Sequence, residues 1–380
     1  MLQLGKFYPI KGGVEQVEYS LMSGLSERGV YCDMLCATHG VIKNSERFLN
    51  DYSQLITTKT WFNFSATMIS PSMITTLRRI CNEYDIIHLH HPDPMAALSL
   101  FLSGYKGKVV LHWHSDIVKQ KKLLRLYKPL QDWIIKRADV IIGTTPIYVE
   151  QSPFLLHVQH KITCLPIGVS PVKVNKEKVF QIQNLYHRKK IIFTLGRLVE
   201  YKGHEYLIEA ARHLNDDFII LIGGDGPLRD KLQQQIDENH LNDKVKLLGR
   251  ISDEDLSAYY GACTLFCLPS IFKTEAFGLV QIEAMSCSKP VVTTEIPESG
   301  VPWVNQNGYS GLNVPPCNAE ALAQAILSIT ANKERYLQFC NNALNRYLAC
   351  FTQDQMVDRC LDIYNQLFFT NKSEKLKAIA

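Results

Sequence analysis

Two glutamates separated by seven residues form the strongest chemical signal in the chain. Glu275 and Glu283 flank a loop around Gly278, and an apolar helix is predicted to begin at about Leu279. A helix N-terminus offers free N–H groups and the positive end of the helix dipole, which suit a phosphate or sugar hydroxyls. Two lone glutamates would be ordinary helix-start charges. The Pro-Ser before them and the apolar strand after them favour a ligand-binding segment over that ordinary interpretation.

Two cations follow an apolar strand earlier in the chain. Arg197 and Lys202 belong to the segment G-R-L-V-E-Y-K-G-H, between that strand and a helix. Arginine offers a planar fork and lysine a point charge, so the pair can grip a diphosphate from two sides. Surface cations are usually only solvated. Both residues follow the carboxyl end of a predicted parallel strand, where ligands bind, and this position favours diphosphate binding over simple solvation.

Glycines shape other turns after strands. The turn around Gly224 is predicted to pass close to a ligand, although it lacks the G-x-G-x-x-G dinucleotide fingerprint. Arg250 and Ile251 follow the next strand and are placed to border a base. Near the start, Gly12 and Gly13 link the first strand to its helix, where the missing Cβ lets backbone amides approach an anion.

Histidines cluster after two strands, at 88–91 and 112–116. His88 and His90 share one face of a strand, and no Cys or carboxylate lies at a zinc-ligand spacing. The sequence therefore predicts no structural zinc site. His114 is predicted instead to be a hydrogen-bonding group of an active site.

Short apolar runs alternate with amphipathic stretches, which predicts an α/β protein of βαβ units and parallel sheets. A length of 380 residues exceeds one hydrophobic core and favours two domains. The rhythm breaks at residues 171–189, where we predict a linker. It separates a domain at 1–170 from a second doubly wound domain at 190–350, and a C-terminal helix follows at 351–380.

Composition limits the possible partners and compartment. The net charge of +4 is too small to indicate nucleic acid. Eleven cysteines show no framework of short spacings, and Lys6 interrupts the apolar start, so no signal peptide is predicted. These features predict a reducing cytoplasm and free thiols. No apolar run is long enough to span a bilayer.

Positive charge is concentrated in the first half of the chain. Residues 1–170 contain 18 Lys or Arg and 13 Asp or Glu, and residues 106–137 alone contain nine basic residues and two acidic ones. A helix predicted at 118–136 combines these lysines with leucines and aromatic residues. Such a helix can lie on an anionic lipid surface. The alternative is that its apolar stripe packs on its own domain, which explains the apolar residues but not the concentration of lysines. We therefore predict peripheral contact with the inner face of the cell membrane.

Together these residues resemble retaining glycosyltransferases of family 4, which have the GT-B fold: two Rossmann-like doubly wound domains facing across a cleft. The resemblance covers essentially the whole chain, and it implies that the last helix crosses back to the N-terminal, acceptor-side domain. It implies that Glu275 binds the donor sugar and Glu283 the ribose. Arg197 and Lys202 match the pair that stabilises the leaving diphosphate.

The resemblance also implies roles for the flanking backbone. Phe277, Gly278 and Leu279 match positions whose amides contact phosphate or sugar. Gly12 and Gly13 match the loop that closes over the donor from the N-terminal domain. The family implies retention of anomeric configuration, no cofactor and no catalytic metal.

Three further positions match family sites. Arg250 and Ile251 correspond to the edge that reads the base. His114 corresponds to the histidine near the reacting carbon of the sugar, and Asp116 lies beside it.

The chain departs from the family pattern at a few positions, which bear on donor preference. Ala276 replaces a more usual Gly or Ser, residues 286–288 are Ser-Cys-Ser where small residues such as Ala-Cys-Gly are usual, and Trp303 stands where Glu is frequent. Asp253-Glu254-Asp255 is formally a D-x-D metal motif. The Ser before it indicates a helix start instead.

The sequence leaves the donor and the acceptor open. The stretch W-H-S-D-I-V-K-Q-K-K resembles mannosyltransferases of bacterial polysaccharide assembly, which favours GDP-mannose, with UDP-hexoses as the alternative. The acceptor is expected to be an oligosaccharide or a lipid-linked glycan. A Rossmann oxidoreductase or sugar-nucleotide epimerase would need a glycine fingerprint that the first strand lacks. A non-catalytic sugar-binding protein also stays open, as does the oligomeric state.

Overall fold

Strands and helices alternate along the chain and assemble into two sheets that are parallel except at one edge. The computed structural model describes residues 1–6, 12–38, 45–64, 67–117 and 121–377. The chain divides into two compact units: unit 1 is Met1–Gly168 with Gln353–Ala380, and unit 2 is Val169–Thr352. This is the α/β architecture that the alternation predicts.

Unit 1 is built on an eight-stranded sheet with a separate hairpin. The strands are β1 (Leu2–Lys6), β2 (Asp33–Thr38), β3 (Ser45–Asn50), β4 (Ser53–Lys59), β5 (Phe62–Phe64), β6 (Thr67–Ile69), β7 (Ile86–His91), β8 (Lys108–Trp113), β9 (Val140–Gly143) and β10 (Ile162–Cys164). The order is β10-β9-β8-β7-β1-β2-β4-β3, and only β3 runs antiparallel to its neighbour within the described sheet. Strands β5 and β6 pair with each other.

Five helices of unit 1 precede the second unit: α1 (Gly13–Glu27), α2 (Pro71–Ile80), α3 (Pro94–Ser103), α4 (Lys121–Arg137) and α5 (Pro146–Glu150). Helix α3 shows how local residues set both ends. The Asp93 side chain accepts hydrogen bonds from the N–H groups of Met95 and Ala96, and Gly104 ends the helix at φ 73°. Both are standard helix signals.

Unit 2 contains a six-stranded, wholly parallel sheet. The strands are β11 (Lys190–Leu195), β12 (Phe218–Gly223), β13 (Val245–Gly249), β14 (Leu265–Leu268), β15 (Val291–Thr294) and β16 (Gly311–Val314), in the order β13-β12-β11-β14-β15-β16. The helices are α6 (Lys176–Leu185), α7 (His204–Ala210), α8 (Arg229–Glu238), α9 (Asp253–Ala262), α10 (Leu279–Ser286), α11 (Val301–Val304), α12 (Ala319–Ile329) and α13 (Lys333–Cys350).

The linker predicted at 171–189 is wrong for most of its length, because the structure places α6 there and packs it against α9. Asn175 caps α6 with its side-chain oxygen. Lys178 then forms ion pairs with Glu254 at 2.8 Å and Asp255 at 2.7 Å. These contacts join α6 to unit 2, and a Lys-rich composition alone does not reveal them.

The D-x-D segment begins a helix, as predicted. The Ser252 hydroxyl oxygen accepts a hydrogen bond from the N–H of Asp255 at 3.1 Å and so caps α9. Acidic residues in the first turn also complement the helix dipole.

The final helix, α14 (Gln353–Lys377), belongs to unit 1. Arg28 at the end of α1 pairs with Asp354 at 2.9 Å and Asp358 at 2.7 Å. Gly24 lets Val357 approach, since a Cβ there would lie 2.4 Å from a Val357 methyl. Across the described ranges, no helix is both long enough and apolar enough to cross a bilayer.

Candidate active site

The carboxyl end of β11 lies at the point where strand order reverses, between β12 and β14. Ligands of doubly wound sheets bind at such points. A Cβ on Gly224 would lie 2.0 Å from the carbonyl oxygen of Gly196, and φ of Gly224 is 122°. Only glycine fits there, so the turns after β11 and β12 stay in contact. A contact of Gly224 with a ligand stays a prediction.

Lys202 and Glu275 form a buried ion pair beside this point. Lys202 Nζ lies 2.5 Å from Oε2 of Glu275, and the side chains are only 11% and 12% exposed. The Ser270 hydroxyl donates to the same oxygen at 3.1 Å. Burial by itself lowers the pKa of Lys202, but the adjacent Glu275 carboxylate outweighs it and the pKa is raised. Lys202 is therefore a charged, oriented cation at neutral pH.

Glycines bring Lys202 to this position. Its side chain lies along Gly196, where a Cβ would be 3.2 Å from Lys202 Cε. Gly203 has φ 63°, and a Cβ there would lie 2.2 Å from the carbonyl oxygen of Pro269. The turn after β11 is thereby held against the turn after β14, which carries Glu275.

Arg197 has a different environment from Lys202. Its side chain is exposed, and none of the ion pairs between described residues includes it. The structure thus keeps one predicted cation buried against a carboxylate and leaves the other available to an incoming anion.

The helix start predicted at Leu279 is confirmed, because α10 begins there. Gly278 precedes it at φ 75°, and a Cβ would lie 2.6 Å from the Leu268 side chain. The Phe277 side chain is buried and packs edge to face with Phe351 at 6.0 Å. Backbone N–H groups at the start of α10 are therefore the groups that this loop offers.

Glu283 is hydrogen-bonded by Tyr260, which belongs to the same unit. The Tyr260 hydroxyl donates to Oε2 of Glu283 at 2.5 Å. Burial raises the pKa of Glu283, and the bond from Tyr260 lowers it in part, so the pKa stays above its usual value. Only one oxygen is used by Tyr260, which leaves Oε1 as an acceptor.

A cavity of 260 Å³ opens beside the end of β13 and α6. Arg250 and Ile251 line it, together with Lys178 and Tyr259. Ile251 reaches across Gly223, where a Cβ would lie 2.6 Å from its Cδ1. The two residues predicted to border a base therefore do border a cavity. Its occupant stays a prediction.

In unit 1, Gly12 precedes α1 and Gly13 begins it. Among the residues that the structure describes, no side chain caps this helix. The Glu15 carboxylate lies against Gly12, where a Cβ would be 2.1 Å from Oε2. The neighbouring residues 7–11 lie outside the described part of the chain.

His114 follows β8 and is buried, with 5% of its surface exposed. Its backbone N–H donates to the backbone carbonyl of His91 at 3.1 Å. Its ring Nε2 lies 2.9 Å from the ring Nδ1 of His90. Burial lowers its pKa to about 3. The ring is therefore neutral at pH 7 and acts as a hydrogen-bonding group, not as a cation.

Asp116 anchors the turn that carries His114. It accepts hydrogen bonds from Trp113 Nε1 at 2.9 Å and from the Ser152 hydroxyl at 2.8 Å, and its N–H donates to the Tyr148 hydroxyl at 2.8 Å. Asp116 thus supports the fold next to the candidate site.

Three histidines from two neighbouring strands bring their ring nitrogens within 4.8 Å of one another: His88, His90 and His112. Proximity alone does not make a metal site, because a ligand nitrogen directs its lone pair in the plane of its ring. The interplanar angles are 8° for His88 and His90, 25° for His88 and His112, and 32° for His90 and His112. His88 and His90 are stacked with nearly parallel rings, so one ion cannot lie in both of their ring planes unless a ring rotates.

Several partners of the predicted residues are not indicated by any sequence motif. Ser270 stands in the Pro-Ser segment before the first glutamate, so its position was a usable signal. Tyr260 lies on a helix without any motif. Gln3, whose Oε1 lies 2.7 Å from Nε2 of His90, is in the first strand. Their roles depend on contacts between distant segments.

Two families match consecutive parts of the chain. Residues 11–173 match Glycosyltransferase Family 4, and residues 175–346 match Glycosyl transferases group 1. The matches meet at the start of unit 2, near α6.

Relatives match at moderate identity. The chain is 29% identical to O-antigen chain mannosyltransferase C of Escherichia coli, over 95% of this chain and 96% of that protein. It is 29% identical to D-rhamnosyltransferase WbpZ of Pseudomonas aeruginosa, over 76% of this chain and 75% of that protein.

Solved structures share the fold at lower identity. Sucrose-phosphate synthase from Thermosynechococcus elongatus superposes with a TM-score of 0.79 at 22% identity, over 97% of this chain and 99% of that one. Anabaena HepE in complex with UDP gives 0.76 at 18% identity, over 96% and 99%. With this fold and both matched halves, the chain belongs to the glycosyltransferases of GT-B fold, with a family 4 domain followed by a group 1 domain.

Proposed function

We propose that the protein transfers mannose from GDP-mannose to a glycan or lipid-linked acceptor, with retention of configuration, in the synthesis of a bacterial cell-surface polysaccharide such as O-antigen. The observation that carries the proposal is the Lys202–Glu275 pair beside the start of α10 at the switch point of unit 2. Similarity to an O-antigen mannosyltransferase along nearly the full length supports the choice of sugar.

The diphosphate gains negative charge as it leaves the sugar, so positively charged groups must lie beside it. The Lys202 ammonium group has three N–H donors. One donates to Glu275, so two are available to phosphate oxygens. Arg197 adds a planar fork from the same turn. The free N–H groups of α10 add the positive end of a helix dipole. Charge that develops on the leaving oxygen would be stabilised by groups already in place.

The carboxylates then orient the sugar parts of the donor. Glu275 is fixed by Lys202 and Ser270 and retains Oε1 for a sugar hydroxyl. Glu283, fixed by Tyr260, offers Oε1 to the ribose. The base would lie in the cavity beside Arg250 and Ile251.

The test is donor consumption by purified protein. GDP-mannose should be consumed in the presence of a lipid-linked or oligosaccharide acceptor, and NMR of the product should show the anomeric configuration of the donor. Glu275→Gln should abolish most turnover. Lys273→Ala is the matched control, because this lysine lies on the same loop and pairs with Glu298 instead. Inversion of configuration would refute the retaining mechanism.

UDP-hexose is the alternative donor, and Anabaena HepE is a structural neighbour that binds UDP and UDP-glucose. A thermal-stabilisation screen with GDP-mannose, UDP-glucose and the free nucleotides separates the two. Greater stabilisation by the UDP series would assign the uridine donor. Binding of either series without any transfer would indicate a non-catalytic sugar-binding protein.

We propose that the protein acts while bound to the surface of a membrane. Helix α4 presents Arg125, Leu126 and Lys128 to solvent, and Leu126 is 80% exposed. The β5–β6 hairpin adds exposed Phe62 and Phe64. Aromatic and basic side chains together suit an anionic lipid interface. Of the lysines that prompted the prediction, the side chains at 119, 121 and 122 lie outside the described residues.

Co-sedimentation tests this contact. The protein should bind vesicles that contain anionic lipid at low salt, and binding should weaken at high salt. Lys119/Lys121/Lys122→Glu should reduce it, while Lys231→Glu, an exposed lysine of unit 2, should not. Equal vesicle binding by both variants would show that the lysines at 119–122 do not form the membrane-binding surface.

A further inference from the structure

A chain of three buried side chains leads from β1 to His114. Gln3 Oε1 lies 2.7 Å from Nε2 of His90, and Nδ1 of His90 lies 2.9 Å from Nε2 of His114. Gln3 and His90 are fully buried. Gln3 lies on β1 and His90 on β7, and His114 directly follows the next parallel strand, β8. The geometry therefore couples the orientation of His114 to the amide of Gln3.

The direction of these hydrogen bonds follows from the donor and acceptor groups. The amide oxygen of Gln3 can only accept, so His90 carries its proton on Nε2. A neutral ring has one proton, which leaves Nδ1 of His90 as an acceptor. His114 must then donate from Nε2, and its Nδ1 keeps a lone pair. Both rings stay neutral because burial lowers their pKa values.

We propose that His90, anchored by Gln3, is a positioning residue that fixes His114 as the Nε2–H tautomer, so that Nδ1 of His114 is the atom that accepts a hydrogen bond from a substrate hydroxyl. This role rests on the proposed transferase function. A ring in the opposite tautomer would direct an N–H at that hydroxyl. The hydroxyl could then be oriented only through its oxygen, with its own proton directed elsewhere.

The His90 substitutions separate this role from simple packing. In His90→Asn the side-chain oxygen can take the place of Nδ1 and accept from His114. His90→Leu fills similar space without any acceptor. His90→Leu should lower kcat about tenfold or more, with KM for the donor changed less, and His90→Asn should restore most of the loss. Thermal unfolding of both variants checks that they fold.

The tautomer itself can be measured without any substrate. Protein labelled with ¹⁵N at histidine should show an unprotonated Nδ1 and a protonated Nε2 for His114, assigned by comparison with His114→Asn. In His90→Leu this preference should weaken or reverse. Gln3→Met, which removes the anchoring oxygen, should act in the same direction.

Two results overturn the inference. One is an Nδ1–H tautomer of His114 in the unaltered protein. The other is an unchanged tautomer together with unchanged kcat in folded His90→Leu. Failure of the proposed function gives a different result: no donor consumption by the unaltered protein, with the NMR spectrum still reporting the predicted tautomer.

Discussion

Acidification should unfold unit 1 before unit 2, because unit 1 buries most of the histidines whose pKa values are lowered. Five of them lie on or directly after β7 and β8: His88, His90, His91, His112 and His114. Burial is the largest cause for all five, and the pKa is about 3 for three of them. In unit 2 the corresponding residue is His204, whose pKa burial lowers to about 4.

The sign and the size follow from proton linkage. The folded rings stay neutral, whereas an unfolded histidine takes up a proton below pH 6.5, so stability is intact above pH 6.5 and is lost as pH falls toward 3. At pH 5 each such histidine lowers the free energy of unfolding by about 2 kcal/mol. Five amount to about 10 kcal/mol, which is comparable to the whole stability of a domain. His204 costs unit 2 only about 2 kcal/mol by the same relation.

The tryptophans allow each unit to be followed separately. Trp61, Trp113 and Trp133 belong to unit 1, and Trp303 belongs to unit 2. Urea unfolding of Trp303→Phe, followed by fluorescence, reports unit 1, and a variant with only Trp303 reports unit 2. The unit 1 transition should move to lower urea steeply between pH 6.5 and 5, and the unit 2 transition much less.

A matched pair of substitutions tests the cause. His112→Leu removes one buried ring whose nitrogens have no hydrogen-bond partner in the described structure, and it should recover about 2 kcal/mol of the loss at pH 5. His157→Leu changes an exposed histidine of the same unit and should recover none. A unit 1 stability that is equal at pH 7 and pH 5 would refute the reasoning.

Other predictions concern the site. Lys202→Ala and Arg197→Ala should each lower turnover about 10²- to 10³-fold, as loss of one stabiliser of developing charge does, and near-normal steady-state rates in both folded variants would remove the site assignment. Turnover should persist in chelator, because the positive charge is supplied by the protein; a loss that Mg²⁺ or Mn²⁺ restores would show that a metal is needed. Tyr260→Phe should raise the donor KM several-fold by releasing Glu283, and an unchanged KM would mean that the Tyr260 bond does not position it.

Local sequence determined the elements and the motif-bearing turns. The alternation of apolar runs with amphipathic stretches predicts βαβ units, and strand β8 and helix α3 are examples of the two kinds of element. Gly278 ahead of an apolar run predicted the start of α10, because a left-handed residue followed by helix formers is a local signal. The sequence pattern does not predict the short strands β3 to β6. The described residues of β3 and β5 are exposed, and β4 is buried but rich in Ser, Gln and Thr, so the apolar pattern is weak there.

Only tertiary structure decided which of these residues act together. Lys202 lies in the turn after β11 and pairs with Glu275 in the turn after β14, and neither residue type reveals that partner. His88 and His90 share a face by period two, but His112, whose ring lies next to both of theirs, comes from β8. Helix α6 joins unit 2 through Lys178, and α14 joins unit 1 through Arg28. Periodicity records which face of an element is buried, whereas the partner across that face depends on strand order, which is a property of the whole chain.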